Sequence, residues 1–188
     1  GGRNVSISDA TGVGTITNDD LASITIADVT VDEEDGTATV SLVLNKAVEG
    51  GLTVDLSTAD GTATTTDSDY TALVSSPVTF AGTIGESHDV NITIGSDSKL
   101  EANETFTVSM SNLTPVTVSS TDIDITDGAT VTINNDDQAT VTIADASGAE
   151  ADGAITLTAT LDNAVDGGFF VELNTADVTA LSTSDYTA

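Results

Sequence analysis

Cysteine is absent from this chain of 188 residues. A disulfide framework and a thiolate metal site are therefore excluded, while export is left open. Basic residues are nearly absent as well: Arg3, Lys46 and Lys99 stand against 31 Asp and Glu, for a net charge of −28. Nucleic acid is nearly excluded as a partner, because there are too few cations to neutralise phosphates. An anionic membrane surface is disfavoured for the same reason. Self-repulsion at this charge destabilises a compact state. A fold that carries it is expected to bind cations or to live in high salt. Aromatic residues make up 3% and tryptophan is missing, which speaks against an aromatic-lined cleft for sugar or an adhesive apolar patch. His88 is the only histidine, and no Ser-His-Asp set, Gly-rich phosphate loop or nonapeptide calcium repeat is present. No window has a sustained helical period, and no apolar run is long enough to cross a bilayer.

What is present is Val, Ile, Leu, Ala and a great deal of Thr. Hydrophobic residues are 38% and mean hydropathy is +0.10, which is not the composition of a disordered chain. Val, Ile and Thr suit pleated, half-buried surfaces. The apolar residues alternate with period two: Ile24 and Ile26; Ala38, Val40, Leu42 and Leu44; Leu52, Val54 and Leu56; Val78 and Phe80; Val90, Ile92 and Ile94; Phe106, Val108 and Met110; Val131 and Ile133. Val116 and Val118 are expected to continue a strand beyond an irregular stretch. Gly50-Gly51, between two runs, reads as a hairpin turn. Seven or eight short strands separated by turns predict an all-β antiparallel sandwich.

The chain also repeats itself. Asn18-Asp19-Asp20 recurs as Asn135-Asp136-Asp137, an offset of 117 residues, and residues 21–60 align with 138–177 without a gap. Thr25-Ile26-Ala27-Asp28 matches Thr142-Ile143-Ala144-Asp145, Ala47-Val48 matches Ala164-Val165, and Gly50-Gly51 matches Gly167-Gly168. After a one-residue deletion, Asp69-Tyr70-Thr71-Ala72 matches Asp185-Tyr186-Thr187-Ala188. The expected organisation is the last strand or strands of one repeat (1–20), a complete repeat (21–137) and the first half of another (138–188).

The acids gather at strand ends, in Asp32 to Asp35, at Asp60, at Asp67 and Asp69, in Asp97, Glu101 and Glu104, and in Asp136-Asp137. Alternate loops of a sandwich lie at the same end, so several clusters can converge at one pole. Two carboxylates about 4 Å apart repel by roughly 4 kcal/mol at an effective dielectric near 20. Ca²⁺ accepts the irregular six to eight oxygens that such loops offer. The composition is equally compatible with a solvated acidic surface of the halophilic kind. Asp122 to Gly128 has the look of an EF-hand loop, but its third ligand is one place late and the closing Glu is missing.

Glu33-Glu34-Asp35-Gly36-Thr37, Thr58-Ala59-Asp60-Gly61-Thr62-Ala63, Asp69-Tyr70-Thr71-Ala72 and Asp97 to Phe106 occur in that order, followed by Ser111-Asn112 and Thr132 to Asp137. Together they resemble the Calx-beta domain of sodium–calcium exchangers, an integrin and large bacterial surface proteins. The resemblance implies a seven-stranded immunoglobulin-like sandwich. It also implies calcium at the end where one domain meets the next. Carried over by position, the ligands would be Glu33, Asp60, Asp97, Glu101, Glu104, Asp136 and Asp137. Glu33 is preferred to Glu34 because the third copy keeps Glu150 but has Ala151. Asp69 is read as a hydrogen-bonding loop residue. Where calcium-sensing members carry runs of acids, Ser96, Ser98 and Asn135 stand here, which implies fewer or weaker ions.

Three functions follow from these readings. The first is a structural segment of an extracellular stalk, adhesin or filament, stiffened by calcium at its junctions. The second is a calcium-responsive regulatory module of a larger membrane-associated protein. The third is a directly adhesive domain. The repeat and the missing catalytic set favour the first over the others and over an enzyme. Expected partners are neighbouring repeats, other copies in a filament or a cell-surface ligand, without nucleic acid and without membrane insertion, at the cell surface or outside the cell.

Overall fold

The computed structural model describes residues 1–187. Nine strands fall within the complete repeat: β1 (Ala22–Ile26), β2 (Val29–Asp32), β3 (Thr37–Leu44), β4 (Leu52–Asp60), β5 (Ser76–Phe80), β6 (Ser87–Thr93), β7 (Glu104–Pro115), β8 (Ile123–Asp124) and β9 (Gly128–Asn134). The only helical elements among the described residues are 3-10 turns of three residues. None is long or apolar enough to cross a membrane.

The strands form two sheets, ordered β6-β3-β1-β8 and β2-β9-β7-β4-β5. The alternation in the sequence decides which side chains meet between them. In β3, Ala38, Val40, Leu42 and Leu44 are buried while Thr37, Thr39 and Val43 are exposed. Phe80, Phe106, Ile24, Leu42, Leu44, Leu52, Leu56 and Ile92 are fully buried. Removing each such side chain from water contributes about 1.5–3 kcal/mol.

The count exceeds seven or eight because the first strand is split between the sheets. β1 pairs with β3 and, in parallel, with β8; β2 leaves that sheet and pairs in parallel with β9. Two aspartates brace the crossing. Asp127 accepts the Ile26 N–H at 2.9 Å, and Asp28 accepts the Thr130 N–H at 2.7 Å.

Gly50-Gly51 is not a hairpin. β3 and β4 belong to different sheets, so this turn carries the chain from one layer to the other. Gly51 has φ +76° and lies against the Phe80 carbonyl, leaving no room for a Cβ. Val116 and Val118 form no strand either: β7 ends at Pro115, Val116 is exposed, and Val118 packs against the edge of the core.

Residues 1–21 form no strand and are exposed throughout. Beyond the complete repeat, β10 (Val141–Ile143) pairs with β11 (Ala159–Leu161), the counterparts of β1 and β3. Leu157, Val171 and Leu173, whose counterparts Val40, Val54 and Leu56 are fully buried, are exposed. Ala188, the last residue of the repeated Asp-Tyr-Thr-Ala motif, lies outside the described residues.

Candidate metal centre

β3 begins, and β4, β6 and β9 end, at the same pole of the sandwich, and the acids collect there. Glu33 opens a 3-10 turn directly after β2, and Gly36 closes it in the left-handed region at φ +66°. Asp35 steadies the turn by accepting the Asp32 N–H at 3.1 Å. Because β2 runs parallel to β9, with Asp32 opposite Asn134, Glu33 is delivered beside Asn135, Asp136 and Asp137. Carboxylate oxygens of Glu33, Asp136 and Asp137 lie within 4.8 Å of one another.

A second group forms alongside. Oxygens of Asp69, Glu101 and Glu104 also lie within 4.8 Å of one another. Gly95 makes this possible. It packs against the Ser68 carbonyl where no Cβ fits, and its N–H donates to the Asp69 carbonyl at 2.8 Å. The Asp69 loop is thereby held against the segment joining β6 to β7. Glu33, Asp69, Glu101, Glu104 and Asn135 line one cleft, so the two groups are neighbours.

Hydrogen bonds orient the carboxylates. Asp97 N–H donates to Glu33 Oε1 at 2.9 Å, and Lys99 N–H donates to Asp97 Oδ1 at 2.6 Å. Asn135 accepts the Glu101 N–H at 2.8 Å and donates to the Asp137 carbonyl at 3.0 Å. Asn135 thus takes part in the cleft as an organiser, although the sequence marked it only as a missing acid. Glu34 N–H donates to Asp136 at 3.3 Å, drawing the terminal knot onto the Glu33 turn.

The local electrostatics disfavour charge. Burial pushes the Glu33 carboxyl above its ordinary range, and the charges of Asp97, Asp137 and Asp136 add to that, against the Asp97 N–H. Glu104 is pushed up to about 7, first by burial and then by its hydrogen bond and repulsion with Asp69. Lys99 is the one cation at this pole among the described residues; its Nζ bonds Glu101 and lies 3.5 Å from Asp166.

Of the seven residues expected from the sequence, Glu33, Asp136 and Asp137 meet in one group, Glu101 and Glu104 in the other, and Asp97 borders the first. Asp60 joins neither. It accepts the Tyr70 O–H at 2.6 Å and the Thr65 N–H at 3.1 Å, and so organises its own loop. Tyr70 stacks on Phe106 with ring centroids 4.0 Å apart, which fixes its hydroxyl on Asp60. Burial and that hydrogen bond raise the phenol to about 12. The third copy repeats the arrangement, with Tyr186 O–H on Asp177 at 2.6 Å. Asp69, read as a loop residue, does accept the Thr64 N–H at 2.6 Å, and it also faces Glu101 and Glu104. The pairing of each Asp with a downstream Tyr, Asp60 with Tyr70 and Asp177 with Tyr186, was the available signal that Asp60 also holds its own loop.

An oxygen-liganded cation fits these residues. Asp137 Oδ2 is buried without any hydrogen-bond partner. A buried carboxylate oxygen left unpaired is costly, and a cation among the three acids of its group would satisfy it. The donor set is oxygen alone, which suits hard divalent ions rather than zinc or copper.

The family model of the Calx-beta domain matches residues 16–147 and again 134–188. Among solved structures, the chain is similar to the apo-form Calx CBD1 domain at 22% identity and a TM-score of 0.53, covering 63% of this chain and 100% of that one. It is similar to CBD12 from CALX1.2 at 23% identity and a TM-score of 0.51, covering 61% of this chain and 44% of that one. A third similar structure is titled as the calcium binding domain CBD12 of CALX1.1, with 23% identity and a TM-score of 0.49. No curated protein matches the chain.

Proposed function

The chain belongs to the Calx-beta domain family, and on that premise we propose that it is a calcium-binding β-sandwich repeat serving as a structural segment of an extracellular stalk or filament. Glu33, Asp136 and Asp137, with Asp97 at their edge, hold one ion, and Asp69, Glu101 and Glu104 hold another. The role is mechanical and non-catalytic. The observation that carries the reading is the buried, unpartnered Asp137 Oδ2 inside a group of three acids, at the point where the chain leaves for the next repeat.

Calcium would supply charge neutralisation and oxygen coordination there. This chain's own residues do the rest. Glu33 belongs to the turn after β2, near the start of the repeat, Asp97 and Glu101 to a middle loop, and Asp136-Asp137 to its exit. Drawing them together ties the exit segment to the body and sets the direction in which Gln138 departs. The link from Asp137 to β10 contains neither Gly nor Pro. With the ion removed, like charges remain at the joint, and their repulsion opens it.

Calorimetric titration of the 188-residue protein with calcium tests binding. Small-angle scattering on two complete repeats in tandem tests stiffening. The maximum dimension is expected to narrow its spread with calcium and to broaden in chelator. Asp136→Asn/Asp137→Asn is expected to reproduce the chelator result. Identical profiles in all three conditions would reduce the acidic knot to a solvated turn.

A further inference from the structure

The third copy is seated on the complete repeat by a backbone contact in the segment that also carries Glu101. Leu100, in the segment joining β6 to β7, forms a parallel bridge with Val165. Its N–H donates to the Ala164 carbonyl and its carbonyl accepts the Asp166 N–H, both at 2.9 Å. Beside it, Lys99 Nζ lies 3.5 Å from Asp166. The receiving element is the turn that follows β11.

That turn has a counterpart in the complete repeat, at the pole opposite the acids. Ala164, Val165 and Asp166 correspond to Ala47, Val48 and Glu49 through the offset of 117 residues. The local structure corresponds too. Gly167 and Gly168 have φ +68° and +69°, and Gly50 and Gly51 have +78° and +76°. Asp162 accepts the Thr140 N–H at 2.6 Å, as Asn45 accepts the Ser23 N–H at 2.7 Å. The Gly168 N–H bonds Val165 as the Gly51 N–H bonds Val48. One difference bears on docking. The Ala47 carbonyl and the Glu49 N–H, equivalents of the two groups that Leu100 engages, have no hydrogen-bond partner among the described residues, and both residues are exposed. Both residues line a cleft together with Asn18, Asp20, Leu21, Val118, Asp122 and Ile123.

We propose that the Ala47–Glu49 turn is the docking site for the β6–β7 segment of a preceding copy of this repeat. The preceding copy's counterpart of Leu100 bridges Val48 and its side chain enters the cleft. Its counterpart of Lys99 faces Glu49. The nearby Lys46 does not compete for Glu49, since it is directed to Asp20 at 3.9 Å. The same contact then recurs at every junction and requires no ion. It restricts bending by a short piece of β-ladder, while the acidic groups act on the exit strand. The inference rests on the tandem reading above, but not on calcium.

Two measurements test it. In the 188-residue protein, hydrogen exchange is expected to be slow at the Asp166 N–H and fast at the Glu49 N–H. Equal protection of the two would overturn the idea that the Glu49 group is open. The second measurement uses the absence of native cysteine. Leu100→Cys/Val165→Cys in the 188-residue protein is the reference pair, because bridged residues lie within disulfide reach. In a chain running 21–137 and then 21–188, Leu100→Cys in the first copy is combined with Val48→Cys in the second. Mild oxidation is expected to close both pairs to within about twofold in yield. A closed reference with an open Val48 pair refutes the docking site, and an open reference removes its template. If the longer chain does not fold, residues 21–117 placed ahead of Gly1 provide a second route to a full preceding copy for the same pair. Calcium titration of the 188-residue protein is indifferent to these outcomes, so failure here is distinguishable from failure of the calcium reading.

Discussion

Glu33→Gln is the substitution that separates a metal ligand from a merely buried acceptor. Glu33 is 9% exposed and faces Asp136 and Asp137, with oxygens no more than 4.8 Å apart. At that separation one pair of charges repels by about 0.9 kcal/mol in bulk water and about 3.5 kcal/mol at an effective dielectric of 20. Asp136 is exposed, which places its share near the lower figure. Glutamine keeps an oxygen for the Asp97 N–H but carries no charge. Without calcium the variant is therefore expected to be more stable than the parent by about 1 kcal/mol. For a sandwich of this size that is roughly 4 °C in melting temperature. With calcium that lead narrows, and it reverses for a site at the tight end of the range. A site with a dissociation constant of about 10⁻⁴–10⁻³ M gives the parent about 1.4–2.7 kcal/mol at 10 mM calcium, or some 6–11 °C. The variant lacks a charged ligand, and its gain is expected to fall below half of that. Differential scanning calorimetry in chelator and in calcium, at matched ionic strength, reads both numbers. A variant less stable in chelator that keeps the full calcium gain would refute the reasoning and leave Glu33 as a structural hydrogen-bond acceptor.

Asp60→Ala is expected to lower the melting temperature in chelator and calcium alike, by the roughly 1–3 kcal/mol that goes with unpairing Tyr70 and Thr65; loss of the calcium-induced shift would instead make Asp60 a ligand. Glu104 gives a pH dependence. Its carboxyl is raised from 4.5 to about 7 in the fold, so its stabilising contribution is complete below about pH 4.5 and is lost as pH rises through 7. Calcium must displace that proton, so the calcium-induced shift in melting temperature is expected to grow between pH 5.5 and 8; a flat profile over that range counts against Glu104 as a ligand. Gly51→Ala is expected to cost more than about 1 kcal/mol, since φ is +76° and a Cβ meets the Phe80 carbonyl; a neutral effect on urea denaturation would show that the inter-sheet turn relaxes freely.

The strands were legible in the sequence because side chains alternate faces along a strand. Ala38, Val40, Leu42 and Leu44 share one face by spacing alone, and all four are fully buried. The convergence of Glu33, Glu101, Glu104, Asp136 and Asp137 at one end was legible for a related reason: acids placed at strand ends have few places to go in a two-layer sandwich. The domain-length repeat needed no structure at all.

Pairing was a different matter. The same alternation serves a hairpin and an inter-sheet crossing equally well, and only the sheet assignment shows Gly50-Gly51 to be a crossing. The split of the first strand depends on contacts more than a hundred residues apart, Ile26 with Asp127 and Asp28 with Thr130, which no local pattern records. The same holds for the choice between Asp60 and Asp69. Asp60 ends β4 and Asp69 lies in the loop that follows, and composition treats them alike. Tyr70, locked by stacking on Phe106, takes Asp60, while the close approach of Gly95 to Ser68 carries Asp69 to Glu101 and Glu104. Local periodicity determined which side chains of the complete repeat share the core face. Only long-range packing decided which carboxylates stand near enough to one another to need a cation.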